Sequence, residues 1–345
     1  MAEAKVRFER FGRVFTNAYA KAWLTWQSNR GLAANTVAAY GWGLETYLLF
    51  LDGRGLKPES ATRHDVAAYV RHLLPVGAAG TDCEESGTER TVSNSTLQQR
   101  VTVIRLFHDY LVEEQVCARN PVRLSMISSG GRGVRGLIPR HRKLPWVPTD
   151  EQWLAILDVA RSAPFRNRVM LALAYDCALR REELCGLHTD DFDPAYRLVR
   201  IRAENTKGRR ERVVPYSEPT GELYRQYLGH RRQLSRDRGR LFLSESRRNR
   251  RQPISIWTWS KVIASLADAS GVQSFKTHTP RHLSLTDLAR AGWDIHEIAM
   301  FAGHRSVQTT LLYIHLSGRD LAAKLRSGMA EIHSRRASLT AERLS

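Results

Sequence analysis

Residues 177–187 read CALRREELCGL, and three short segments follow in the same half of the chain: THTPRHLS (277–284), AGHRS (302–306) and TTLLYIHL (309–316). Between the first two lies YRLVRIRAENTKGRRERVVPY (196–216). Its first arm places Val199, Ile201 and Ala203 on one face and Arg200 and Arg202 on the other, a period of two. The turn-like NTKGRR then returns the chain as ERVVPY, so a β-hairpin with Lys207 at its tip is predicted. Around it the apolar spacing is helical. The expected fold is therefore mainly α with a small β-sheet.

Working outward, Thr149 to Gln152 reads T-x-x-Q, a capping box that opens the second domain. Helices are expected near 150–161 and 166–178, and again from Pro219 onward, interrupted by the apolar run Leu241 to Leu243. The first 118 residues read as a separate domain of about four helices. A segment around Tyr19 to Trp26 has Trp23 and Trp26 as core aromatics. A helix capped by Asn35 carries Val37, Tyr40, Leu44, Tyr47, Leu48 and Leu51. Thr62 and Asp65 start a shorter helix. Ser93 or Ser95 opens a longer one through Leu97, Val101, Ile104, Phe107 (or His108) and Leu111, after a polar loop over 76–90. From 119 to 148 periodicity fails. Gly130, Gly131, Gly133 and Gly136 alternate with Arg132 and Arg135, which marks a basic linker. It serves either as a hinge for two lobes closing on an anionic rod or as a spacer without ligand contact. The catalytic unit then spans 149–345.

Composition narrows the partner. An apolar share of 42% over 345 residues suits two folded domains, but a net charge of +18 needs an anionic partner, and nucleic acid is the commonest. Nine arginines lie between 231 and 251: Arg231, Arg232, Arg236, Arg238, Arg240, Arg247, Arg248, Arg250 and Arg251. A guanidinium offers a planar fork of donors that matches phosphate oxygens, so this stretch is expected to contact phosphate. Cys83, Cys117, Cys177 and Cys185 lack C-x-x-C spacing and read as free thiols of a reducing, cytoplasmic compartment. No apolar run approaches a membrane span, and MAEAKVRFER has no signal core.

The four segments, in this order, resemble the signature of the tyrosine recombinase (phage integrase) family. That signature is an arginine box with a nearby glutamate, a lysine on a β-hairpin, H-x-x-R, G-H, and a tyrosine nine residues on. The N-terminal helical domain is similar to the core-binding (SAM-like) domain of that family. Ala178 stands where the family often has Gly, and Pro280 stands where Leu is usual. Pro280 is tolerable near the start of a helix capped by Thr279.

The chemistry explains the residue types. Attack on a phosphodiester builds charge on its equatorial oxygens, and preorganised cations stabilise it. The resemblance assigns Arg180 and Arg281 to those oxygens, with Glu183 orienting Arg180. It also assigns Tyr313 as nucleophile, His278 as general base, His304 as a hydrogen-bond donor to a nonbridging oxygen, and Lys207 as general acid to the leaving 5′-oxygen. Arg200, Arg202, Arg209, Arg210, Arg247 and Arg248 are the expected DNA contacts. DDFD (190–193) is the nearest thing to a carboxylate cluster and reads as a turn, so no metal is expected. No nucleotide cofactor is expected either, because the covalent intermediate conserves bond energy and no Walker-type loop is present. The resemblance further implies double-stranded DNA as partner, a tetramer on two DNA sites, and a site-specific recombinase or integrase serving recombination, integration or transposition of a mobile element. A type IB topoisomerase and a catalytically silent DNA-binding protein are the competing readings.

Tyr313 lies about 120° from the centre of the stripe Val307, Leu311 and Ile314, at about 100° per residue, so it is expected to face a phosphate rather than the core. Beyond it, Leu321, Leu325, Met329 and Ile332 form a stripe that docks on a neighbour or packs in cis. Charge makes one quantitative demand. Duplex affinity, followed by fluorescence anisotropy, should fall on the order of 10³-fold between about 50 and about 200 mM salt as phosphates regain counterions. A flat salt response would contradict phosphate binding.

Overall fold

A computed structural model describes residues 6, 8–74, 92–122, 144–206 and 208–316, and residues 326, 328–330, 332–334 and 336 beyond them. The polar loop over 76–90, most of the linker, Lys207, Cys83, Leu321 and Leu325 lie outside the described residues. The chain divides into two compact units, Met1–Arg142 and Lys143–Ser345.

Unit one is helical: α1 (Gly12–Thr16), α2 (Ala18–Asn29), α3 (Ala34–Asp52), α4 (Arg63–Leu73) and α5 (Asn94–Glu113). The short α1 was not anticipated. Its first N–H groups are satisfied from another helix, since Arg13 and Val14 donate to the Glu45 carboxylate at 3.0 and 2.9 Å. The Thr62–Asp65 capping box is present, and Ser93 caps α5. Asn35 does not cap α3, because the helix begins one residue earlier with Ala33 at the N-cap. Trp23, Leu44, Tyr47, Tyr69 and Phe107 fill the core. Trp26 does not join them. It is 42% exposed, with the Arg30 guanidinium over its ring.

Unit two opens with α6 (Asp150–Arg161), whose Thr149–Gln152 capping box is present, and continues through α7 (Phe165–Asp176) and α8 (Arg181–Cys185). A three-stranded antiparallel sheet follows: β1 (Phe192–Asp193), β2 (Leu198–Ile201) and β3 (Arg212–Pro215). The hairpin is in the expected place, with Val199 opposite Val214 and Ile201 opposite Arg212. Then come α9 (Glu218–Leu234), α10 (Ile256–Ala269), α11 (Thr279–Arg290), α12 (Ile295–Ala302) and α13 (Val307–Leu316). Cys177 and Cys185 are buried free thiols.

Two basic residues of the 231–251 stretch are structural rather than phosphate-facing. Arg231 is buried and donates to four carbonyl oxygens, those of Ser235, Asp237, Arg240 and Leu241. Arg240 donates to the Gly186 carbonyl at 2.6 Å. Both side chains spend their donors on backbone carbonyls and so tie the surrounding backbone in place. Arg247, Arg248, Arg250 and Arg251 remain exposed. Replacing Arg231 with Met should therefore lower unfolding stability by about 3 kcal/mol in denaturant titration. Arg247→Ala and Arg248→Ala should leave stability within about 0.5 kcal/mol while weakening DNA binding.

Candidate active site

The site grows from Glu183. Arg180 is the N-cap of α8, and its backbone N–H donates to the Glu183 carboxylate at 3.0 Å. The Arg180 guanidinium donates to the same carboxylate at 2.8 Å. From the other side Arg212 of β3 donates twice, at 3.1 and 2.8 Å, and its Nε–H reaches the Phe301 carbonyl at 3.0 Å. Glu183 is only 1% exposed. Burial by itself raises its pKa, but the hydrogen bonds and charge of Arg212, with those of Arg180, outweigh burial and hold the carboxyl at about 2. Glu183 thus orients two guanidiniums.

Arg212 was missed in the sequence, although a signal was there. The strand alternation that buries Val214 turns Arg212 inward too, and an inward guanidinium needs a carboxylate.

The second arginine enters from α11. Arg281 is 4% exposed and donates to the carbonyls of Ala178 and Ala302, the latter at 2.7 Å. Arg180 also points at Ala302 O, at 3.4 Å, and at Gly303 O, at 3.3 Å. One backbone turn therefore gathers both guanidiniums. Gly303 makes that turn possible: it ends α12 at φ +62°, and a Cβ there would come within 3.0 Å of the Arg212 guanidinium. Ala178 carries φ +46°, which explains why glycine is the family's frequent residue at that position. Burial, then the Arg180 charge, pull the Arg281 pKa down to about 10, so it stays cationic at neutral pH. Pro280 is tolerated at the start of α11 as expected, but the N-cap is His278 and not Thr279.

His304 Nε2 lies 3.0 Å from Arg281 Nη2, and its Nδ1 lies 2.9 Å from Thr310 Oγ1. A guanidinium only donates, so Nε2 accepts and Nδ1 carries the proton. In this arrangement the His304 proton is directed to Thr310, and the donation to a nonbridging oxygen expected of His304 is not made. Burial, then Arg281 and Arg180, lower its pKa to about 3.

Tyr313 departs from expectation. It is 4% exposed and belongs to the core of unit two. The buried face of α13 is Thr310 and Tyr313, while Val307 and Leu311 are half-buried. Hydrogen bonding makes this polar face buriable, because Thr310 meets His304 and the Tyr313 hydroxyl meets His282 Nδ1 at 2.9 Å. The His304 ring stacks on Tyr313 at 8°. His278, the expected base, is exposed, and its ring lies 6.3 Å from that of His282.

Among the hairpin arginines, Arg202 donates to buried Asp191 at 2.6 Å and Arg200 pairs with the same carboxylate at 3.6 Å. Asp191, inside the DDFD turn, is thus a structural anchor. Arg209 and Arg210 are exposed. A groove of about 640 Å³ runs from Thr206, Gly208 and Arg210 beside the hairpin tip to Gly303, His304 and Arg305. Among the described residues, three guanidiniums (Arg180, Arg212, Arg281) face one carboxylate, Glu183, in a site that would take an anion.

Residues 147–319 match the phage integrase family, and residues 23–115 match the N-terminal SAM-like domain of phage integrases. The chain belongs to the phage integrase (tyrosine recombinase) family. It is 27% identical to the tyrosine recombinase XerC of Mycobacterium bovis (strain BCG / Pasteur 1173P2), over 88% of this chain and 94% of that protein. It is 28% identical to the tyrosine recombinase XerD of Halalkalibacterium halodurans, over 89% and 94% respectively. The fold is similar to that of XerH recombinase bound to its difH substrate (TM-score 0.68, 15% identity, 94% of this chain and 90% of that one). It is also similar to that of the Tn1549 transposon integrase (TM-score 0.57, 16% identity, 82% and 92%). This member of the family is a tyrosine-type recombinase with a helical N-terminal domain and a mixed α+β catalytic domain.

Glu183 gives this recombinase a measurable pH signature. Its folded pKa is depressed from 4.5 to about 2, so its stabilisation is present above the unfolded value and is lost as pH falls through the folded one. Urea titrations should show the wild type losing about 3 kcal/mol of stability between about pH 5 and about pH 2. Glu183→Gln should lack that component.

Proposed function

We propose that this recombinase cuts and rejoins DNA strands at specific sites through a 3′-phosphotyrosine intermediate on Tyr313. The observation that carries this reading is the convergence of Arg180 and Arg281 on the carbonyls of one turn, Ala302–Gly303, beside His304, which accepts from Arg281 and whose ring stacks on Tyr313. Arg180 holds its two carbonyl contacts at 3.3–3.4 Å, long enough to yield to phosphate oxygens. The Arg281 charge opposes the upward pull of burial on the Tyr313 pKa. An arriving phosphate is thus met by cations already aimed and already desolvated. His278, exposed at the first turn of α11, joins the phosphate-facing set. Lys207, which lies outside the described residues, is assigned by the family resemblance to protonate the leaving 5′-oxygen.

The reaction is transesterification, in which a 5′-hydroxyl from a partner duplex reverses the first step. It needs neither metal nor nucleotide. The substrate is double-stranded DNA, with Arg209, Arg210, Arg247 and Arg248 as backbone contacts, and Arg200 and Arg202 as lesser ones because Asp191 holds them. Assembly as a tetramer on two sites, a cytoplasmic location and a mobile-element source complete the reading. The transposon integrase likeness supports the last of these. No described helix is long and apolar enough to cross a membrane.

Denaturing electrophoresis after incubation with nicked duplexes tests the nucleophile. Tyr313→Phe should abolish covalent protein–DNA linkage and leave duplex affinity unchanged. A covalent adduct from that variant would remove Tyr313 from the role. Relaxation of supercoils without exchange between two cognate sites would favour a topoisomerase instead.

A further inference from the structure

A phenol must lose its proton as it attacks, and the structure puts a specific acceptor beside it. Tyr313 Oη lies 2.9 Å from Nδ1 of His282, the residue that directly follows Arg281. The two rings are 5.7 Å apart, centroid to centroid. The Arg281 charge acts on the phenol as well, opposing the upward pull of burial on its pKa. His304 stacks flat on the ring, with both its nitrogens engaged by Arg281 and Thr310. With His282 in the tautomer that leaves Nδ1 unprotonated, the phenol donates its hydrogen to that nitrogen.

We infer that His282 is a catalytic residue of this recombinase, whose Nδ1 accepts the Tyr313 proton as the phenol attacks the scissile phosphate. This rests on the reading of Tyr313 as nucleophile and transfers the base role from His278. The step balances. The Oη–P bond forms as the Oη–H bond breaks, with that hydrogen passing to His282. The P–O5′ bond breaks, and the leaving oxygen takes a proton from the acid assigned to Lys207. Rejoining runs each transfer backwards. The titratable and charged groups around the imidazole are His278 and Arg281 on its own segment and Tyr313 on α13. Burial, then His278 and Arg281, lower the His282 pKa to about 4, so the imidazole is uncharged at neutral pH. A bound phosphate anion raises its proton affinity when the transfer occurs.

The test begins with nicked duplexes of randomised sequence incubated with the full chain and denatured. Sequencing the protein-linked DNA gives the site and the broken bond. On that duplex, single-turnover adduct formation is then followed for the wild type, His282→Ala, His282→Gln and His278→Ala, with oxygen or sulfur at the leaving 5′ position. Both His282 variants should slow at least ~100-fold at unchanged DNA affinity. Sulfur should not restore them, because a thiolate leaving group dispenses with the acid and not with the base. Added imidazole should partly restore His282→Ala. Wild-type rates in His282→Gln would reduce His282 to holding the phenol, and loss of the reaction in His278→Ala with both His282 variants fast would return the base to His278. Either result overturns the inference and leaves the recombinase reading intact. No adduct from the wild type would overturn that reading itself. A readout independent of the variants is the ¹⁵N spectrum of wild-type His282, where an unprotonated Nδ1 is expected and an Nδ1–H refutes the transfer.

Discussion

A carboxylate with 1% of its surface exposed is tolerable only where cations meet it, and that constraint at Glu183 organises the catalytic unit. Glu183 is reached by Arg180 from its own helix start and by Arg212 from the sheet, and neither guanidinium can move without exposing a buried charge. Sheet and helix are thereby locked to each other at the place where the reacting groups stand. Arg212 then extends to the Phe301 carbonyl, so the end of α12 is held in the same network. The turn that follows supplies the carbonyl shared by Arg180 and Arg281. Removing the carboxylate would loosen three elements at once.

The arrangement is dense in donors and short of negative charge. Arg180, Arg212 and Arg281 face Glu183, and burial holds the His282 and His304 pKa values low, so neither imidazole adds charge at neutral pH. An excess of cation in a partly dry site is a standing cost to folding, and a bound anion would relieve it. The donors are aimed before the substrate arrives, which is where electrostatic catalysis gains most over water. The Tyr313 phenol is shut from solvent by this packing and meets a hydrogen-bonding partner instead of water.

Much of this was legible in the residues themselves. The capping boxes at Thr62 and Thr149, the β2–β3 hairpin and the helices around them rest on short-range chemistry, and they stand where local pattern puts them. Arg180 with Glu183 was readable for the same reason, since three residues separate them at a helix start. The failures were long-range. Arg231 looks like a phosphate contact in a run of arginines, yet its four carbonyl partners lie in a loop whose path no local rule gives. Helical periodicity put Tyr313 off the apolar stripe, but α13 buries a polar face that His282 and His304 satisfy.

By itself, then, the sequence determined the fold class, the boundaries of most elements and the set of chemical groups, because propensity, capping and motif spacing act over a few residues. Tertiary structure decided which partner each group has. It brought Arg212, 29 residues from Glu183, onto the same carboxylate, and it set His282 rather than His278 against the phenol, 31 residues away. Such pairings depend on how helices and strands pack, and a hydrogen bond is decided by tenths of an ångström that a one-dimensional pattern does not contain.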